Sequence, residues 1–120
     1  MANQKQVLIA EDEKPLAHAL ELKLTREGFA VTVVQNGQQA LEMLDKNAYD
    51  VVLLDLMMPV VDGFQVLEAL KNKPAMPHVI VLSNLSQRED EERVLSLGAR
   101  KYFIKSNTPL SVIVEEVQRA

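Results

Sequence analysis

Four short apolar runs in this chain each end abruptly in polar or charged side chains. The runs and the residues that close them are 7–10 with Glu11 and Asp12, 51–54 with Asp55, 79–82 with Ser83, and 102–104 with Lys105. Runs of leucine and β-branched residues with this length are typical of buried parallel strands. Because ligands of parallel sheets bind beyond the carboxyl ends of the strands, the five polar side chains are candidates for one functional site.

Helical periodicity fills the segments between the apolar runs. Strands are predicted at residues 5–10, 30–34, 50–55, 78–82 and 100–104. Helices are predicted from Pro15 to Gly28, after Asn36, from about Asp62, over residues 87–97, and from a Thr108 N-cap with Pro109 at the first helical position. Strict alternation of strands and helices favours an α/β fold with helices on both faces of a parallel sheet. We predict a flavodoxin-like, doubly wound, five-stranded sheet with the order 2-1-3-4-5 and five helices.

The bulk composition excludes several classes of protein. A length of 120 residues predicts one domain over residues 1–120. The formal net charge of −4 offers no basic surface, so we expect no direct binding of nucleic acid by this segment. The chain has no cysteine, which excludes disulfides and thiolate metal sites. The amino terminus lacks the apolar core of a signal peptide and no run is long enough to span a membrane, so we expect a cytoplasmic location.

Three carboxylates are predicted to meet where the strand order reverses, between the first and third strands. Glu11, Asp12 and Asp55 would repel one another there unless a cation joined them. An all-oxygen set of ligands favours a hard divalent cation, of which Mg²⁺ fits best. Lys105 and Ser83 would add an ammonium group and a hydroxyl from the other side. These groups match what phosphoryl transfer to a carboxylate requires.

From end to end, the chain resembles a receiver domain of two-component response regulators. The matching residues are Glu11-Asp12, Asp55 with Met58-Pro59 and Asp62-Gly63, Ser83, and Tyr102 through Lys105. The resemblance implies a phosphoprotein in which Asp55 accepts a phosphoryl group from a histidine kinase or a histidine phosphotransfer protein. It also implies Mg²⁺ bound directly by Asp12 and Asp55, through water by Glu11, and by the backbone carbonyl of Met57.

The same resemblance implies a conformational switch. Lys105 and Ser83 would contact the phosphoryl group, and Tyr102 would turn inward as Ser83 moves. The fourth helix, fifth strand and fifth helix would then present an altered surface to an output domain, a downstream protein or a second copy of the chain. Two positions depart from the family pattern: Ser106 follows Lys105 where proline is usual, and Asn84 follows Ser83 where alanine is common.

Three other functions deserve comparison with the switch. Phosphatases and phosphotransferases with an aspartyl intermediate commonly carry a second aspartate two residues after the nucleophile, where this chain has Met57. We therefore expect no turnover enzyme. A flavin carrier would need a glycine- and hydroxyl-rich loop after the first strand, whereas residues 11–14 are mostly acidic. A receiver that docks without phosphate would not need the intact acidic set. His18 and His78 receive no chemical role.

Overall fold

The five predicted strands form one parallel sheet in the predicted order. In the computed structural model, which describes residues 4–120, that order is β2-β1-β3-β4-β5. The strands are β1 (Gln6–Ala10), β2 (Ala30–Val34), β3 (Val51–Asp55), β4 (His78–Ser83) and β5 (Lys101–Ile104). Each boundary lies within one residue of its prediction, and the α/β, doubly wound fold class is confirmed.

Five α-helices connect and follow these strands within the described residues. They are α1 (Lys14–Arg26), α2 (Gly37–Lys46), α3 (Gly63–Lys71), α4 (Arg88–Ser96) and α5 (Leu110–Arg119), with a short 3-10 helix (Lys105–Asn107) after β5. The helix signals in the sequence have local causes. Asn36 and Asp62 accept hydrogen bonds from the third residues of α2 and α3, which satisfies free amide groups at the helix starts.

The predicted start of the last helix was wrong by one residue. Pro109, not Thr108, occupies the N-cap position of α5, and the helix begins at Leu110. The Thr108 hydroxyl instead donates a hydrogen bond of 2.8 Å to the carbonyl oxygen of Ile104. That bond closes the 3-10 helix behind Lys105, so Thr108 stabilises the turn that carries the lysine rather than the helix that follows.

The helices bury both faces of the sheet. One face packs against α2, α3 and α4 through a core that includes Leu8, Leu54 and Leu67. The other face packs against α1 and α5 through a core that includes Leu20 and Leu53. Neighbouring residues of a strand point to opposite faces, so a central strand such as β3 is apolar throughout until Asp55.

The register of the strands brings their polar closing residues to one level. Ala10 pairs with Leu54, so Glu11 follows β1 at the height where Asp55 ends β3. Ser83 pairs with Ile104, which places Lys105 just beyond Ser83. The core of the sheet therefore fixes the positions of all the strand-end side chains.

Residues 1–3 lie outside the described part of the chain. They belong to the predicted domain of residues 1–120 and to the amino terminus that was considered as a signal peptide. The single-domain assignment stays a prediction. Across residues 4–120, no helix is both long enough and apolar enough to cross a membrane.

Candidate functional site

Three carboxylates meet beyond the ends of β1 and β3, as predicted. Oxygen atoms of Glu11, Asp12 and Asp55 all lie within 4.8 Å of one another. The side chains of Glu11 and Asp55 are almost fully buried, at 1% and 2% exposure, whereas Asp12 is exposed. The site therefore concentrates negative charge at a point where two of the three carboxylates have little access to water.

The loop after β3 holds Asp55 against the start of α3. The Oδ1 atom of Asp55 accepts a hydrogen bond of 3.2 Å from the amide of Met57, and the amide of Gly63 donates one of 3.0 Å to the carbonyl of Leu56. Asp62 caps α3 in a reciprocal pair of hydrogen bonds with Gln65. A side chain at position 63 would collide with the backbone of Asp55, so only glycine permits this close approach.

Lys105 lies at the centre of the acidic groups. Its Nζ atom donates hydrogen bonds of 2.8 Å to Glu11 Oε2 and 2.7 Å to Glu13 Oε1, and it lies 3.2 Å from Asp55 Oδ2. The lysine side chain is 8% exposed. Proximity of Lys105 to Asp55 was expected, but its bond to Glu13 was not. Glu13 directly follows the acidic pair in the sequence, which was the available signal.

Burial dominates the electrostatics of the acidic groups. It raises the pKa of Glu11 although Lys105 donates a hydrogen bond to that carboxylate. Burial, followed by repulsion from Glu11, raises the pKa of Asp55 to about 7. Burial would lower the pKa of Lys105, but its hydrogen bonds to Glu11 and Glu13 outweigh that effect and the pKa is raised. One lysine therefore stays charged yet does not balance the surrounding carboxylates.

The donor set fits a hard divalent cation. Glu11 Oε1 is buried and has no hydrogen-bond partner among residues 4–120. Carboxylate oxygens of Glu11, Asp12 and Asp55 make up the cluster, and no sulfur or imidazole ligand belongs to it. Oxygen ligands of this kind suit Mg²⁺, which binds to a few carboxylates and retains several waters.

Ser83 and Tyr102 both form hydrogen bonds with the backbone of Leu85. Ser83 is fully buried at the end of β4, and its Oγ atom accepts a hydrogen bond of 3.0 Å from the amide of Leu85. The Tyr102 hydroxyl donates a hydrogen bond to the carbonyl oxygen of the same residue. Leu85 thus links the end of β4, beside the acidic cluster, to a side chain of β5.

A cavity of about 340 Å³ opens over the carboxylates. It is lined by Asp12, Glu13, Asp55, Met57, Asn84, Leu85 and Lys105. Asn84, which follows Ser83 where alanine is common in the family pattern, lies at this opening. The peptide bond between Lys105 and Ser106 is trans, like every other peptide bond in the described residues. His78, to which we assigned no chemistry, begins β4 at the opposite end of the sheet.

The chain is similar to several known proteins over most of its length. A family model described as the response regulator receiver domain matches residues 7–118. The chain is 36% identical over 121 residues to a gliding motility regulatory protein of Myxococcus xanthus, covering 98% of this chain and 15% of that protein. It is 35% identical over 109 residues to the response regulator GtcR of Aneurinibacillus migulanus, covering 91% and 45%. It therefore spans less than half the length of these relatives.

The fold agrees with these sequence similarities. The solved receiver domain of the Francisella response regulator 1452 superimposes with a TM-score of 0.90 at 31% sequence identity. The match covers 97% of this chain and 95% of that one. The similarity therefore extends over the sheet, the helices and the strand ends that carry the acidic cluster.

Proposed function

The chain belongs to the response regulator receiver domain family of two-component signalling, and from this premise we propose that it is a switch controlled by phosphorylation of Asp55. The observation that carries the proposal is the position of Lys105, whose ammonium group lies 3.2 Å from a buried Asp55 carboxylate beside two further carboxylates. Met57 stands two residues after Asp55, where an aspartyl-intermediate enzyme commonly carries its second aspartate, and this favours a signalling domain over a turnover enzyme.

We propose that Mg²⁺ is the resident cation. Asp12 and Asp55 would hold it directly, Glu11 would act through water, and the Met57 carbonyl would supply a backbone oxygen. When bound, the cation supplies positive charge that offsets the charge of the phosphoryl oxygens. Two observations support this assignment: Glu11 Oε1 is buried without a hydrogen-bond partner, and burial, followed by repulsion from Glu11, raises the pKa of Asp55. A bound cation would offset both effects.

Asp55 would act as the nucleophile in phosphoryl transfer. A carboxylate oxygen of Asp55 forms a bond to phosphorus while the bond from phosphorus to the donor's histidine nitrogen breaks, and the departing imidazole takes up a proton. Asp55 must be ionised to attack, and the nearby charge of Lys105 favours that form. Lys105 then donates a charge-assisted hydrogen bond to the transferred group.

Ser83 and Tyr102 would convert phosphorylation into a change of surface. The Ser83 oxygen accepts from Leu85, so its own hydroxyl hydrogen is able to turn toward a phosphoryl oxygen. Movement of Ser83 would disturb the backbone of Leu85 and with it the hydrogen bond that Tyr102 donates there. The loop that contains Leu85 would then have two packing arrangements, and each would favour a different position of α4 relative to β5.

We propose that the phosphodonor is a histidine kinase or a histidine phosphotransfer protein and that the output is read from the α4, β5 and α5 face. A docked reader would cover two exposed apolar side chains, Leu95 on α4 and Val112 on α5, which are 43% and 38% exposed. The reader would be an output domain, a separate downstream protein or a second copy of the chain. The formal net charge of −4 argues against direct nucleic-acid binding by this segment.

Mass spectrometry tests the proposed chemistry. Incubation with Mg²⁺ and acetyl phosphate should add one phosphoryl group to the wild type and none to Asp55→Ala. The adduct should be released by hydroxylamine, as an acyl phosphate is. An adduct that persists in Asp55→Ala, or one located on Ser83, would contradict Asp55 as the phosphoacceptor, whereas the absence of any adduct on the wild type would favour phosphate-independent docking.

A further inference from the structure

Glu13 makes a contact that its position in the helix does not explain. It occupies the N-cap position of α1, where a side chain usually accepts a hydrogen bond from the first turn, yet its carboxylate makes no capping bond. Glu13 Oε1 instead accepts a hydrogen bond of 2.7 Å from Lys105 Nζ. The start of α1 is therefore tied to the lysine that faces Asp55.

The two glutamates that bind Lys105 differ in what their release would cost. Glu11 is 1% exposed and Glu13 is 55% exposed. A buried carboxylate that loses its partner remains as an uncompensated charge, whereas an exposed one is solvated by water. Of the two hydrogen bonds, the one to Glu13 is consequently the easier to exchange.

We propose that Glu13 is a positioning residue that holds the Lys105 ammonium group in the resting state. When a phosphoryl group arrives, Lys105 donates to a phosphoryl oxygen the hydrogen bond that it had donated to Glu13. The inference rests on the proposed function at Asp55 and adds a partner that the lysine must leave. Glu11 keeps Lys105 in place during this exchange, because its own hydrogen bond to the lysine remains.

Competition between Glu13 and the phosphoryl group has a direct consequence. Removing the charge of Glu13 should free one donor of Lys105 and strengthen binding of a phosphoryl mimic. The exchanged contact is an ion pair with one exposed member, so the gain should be about two- to fivefold in affinity.

The test is a titration with beryllofluoride in the presence of Mg²⁺, followed by amide NMR, for the wild type, Glu13→Gln, Glu13→Ala and Glu115→Gln. Glu115 is exposed on α5 and provides the control for the change in net charge. Both Glu13 variants should bind the mimic more tightly than the wild type, and Glu115→Gln should not.

The ammonium signal of Lys105 provides the readout that a purely structural role would not change in this way. Its nitrogen shift should differ between the resting wild type and resting Glu13→Gln, and the two proteins should agree once beryllofluoride is bound. Equal or weaker binding by the Glu13 variants, or an unchanged resting signal, would overturn the inference alone. Absence of binding to the wild type would overturn the proposed function itself.

Discussion

A Cβ atom at Gly63 would lie 2.4 Å from the backbone carbonyl oxygen of Asp55 and 2.7 Å from the Cα atom of Leu56. Backbone atoms cannot turn aside as a flexible side chain does. The start of α3 and the end of β3 are therefore in direct contact through their main chains, and the position of the candidate phosphoacceptor depends on a residue eight positions further along the chain.

Gly63→Ala should destabilise the protein and displace Asp55. Accommodating an extra methyl group in a close backbone contact typically costs about 1–3 kcal/mol of the free energy of unfolding. Denaturant melts measure that loss, and acetyl phosphate labelling should also slow. Gly28→Ala is the control, because Gly28 has φ of +94° and an added Cβ meets nothing within 4 Å. It should destabilise through backbone strain while the labelling rate stays unchanged.

Val60 has a backbone conformation that β-branched residues rarely adopt. Its φ is 70°, and its side chain is 79% exposed, so little packing compensates for the strain. Val60→Gly should therefore raise the free energy of unfolding by about 1 kcal/mol, which is the relief of strain less the greater unfolded-state entropy of glycine. The same substitution at the neighbouring, partly buried Val61 should lower it instead. A loss of stability in Val60→Gly would contradict this reading of the loop.

The charge of Asp55 should make the metal-free protein less stable as the pH rises. The pKa of Asp55 is raised to about 7 in the folded state, above its unfolded value of about 3.9. The folded protein thus retains a proton that the unfolded chain loses, and the associated stability is complete below about pH 4 and lost by about pH 7.

Asp55→Asn removes this dependence because the amide is never charged. In buffer with a chelator, it should be more stable than the wild type at pH 8 by an amount on the order of 1–3 kcal/mol, and the advantage should shrink at pH 5. Glu115→Gln is again the control and should run parallel to the wild type. A constant difference between Asp55→Asn and the wild type across this range would show that Asp55 does not titrate as described.

Mg²⁺ should stabilise the folded wild type in proportion to its binding, and Asp12→Asn should abolish most of that effect. Asp12 is one of three carboxylates whose oxygens lie within 4.8 Å of one another. Thermal melts with and without Mg²⁺ measure the shift. Glu13→Gln carries the same change in charge next to Asp12 but lies outside this cluster, and it should keep most of the stabilisation. Equal shifts in wild type and Asp12→Asn would remove Asp12 from the proposed metal site.

The strand-end residues could be predicted because their positions follow from local pattern. Buried parallel strands are apolar throughout, so the first polar residue marks the carboxyl end, and the strand order then brings Glu11, Asp12 and Asp55 together. The same pattern marks Ser83 and Lys105 as the residues that close the fourth and fifth strands. The observed cluster confirms that the three carboxylates converge, and Lys105 lies 3.2 Å from Asp55, while the chemical roles of all five residues stay predictions.

Other features depend on side-chain reach and backbone angles that no pattern encodes. The bond from Lys105 to Glu13 joins residues 92 positions apart and depends on the extension of both side chains. The positive φ of Val60 could not be inferred, because valine gives no signal for that conformation. Thr108 misled the prediction of the fifth helix, since a threonine before proline resembles an N-cap whether its hydroxyl binds forward or backward.

Beryllofluoride-induced amide shifts test most directly whether charge at Asp55 changes a distant surface through Ser83. In the wild type, shifts should extend from the cavity into residues 83–97 and 100–120. In Ser83→Ala the mimic should still bind, so shifts around Asp55 should persist, but the distal shifts should shrink because no hydroxyl moves the Leu85 loop. Distal shifts of equal size in both proteins would contradict the switch, as would wild-type shifts confined to the cavity.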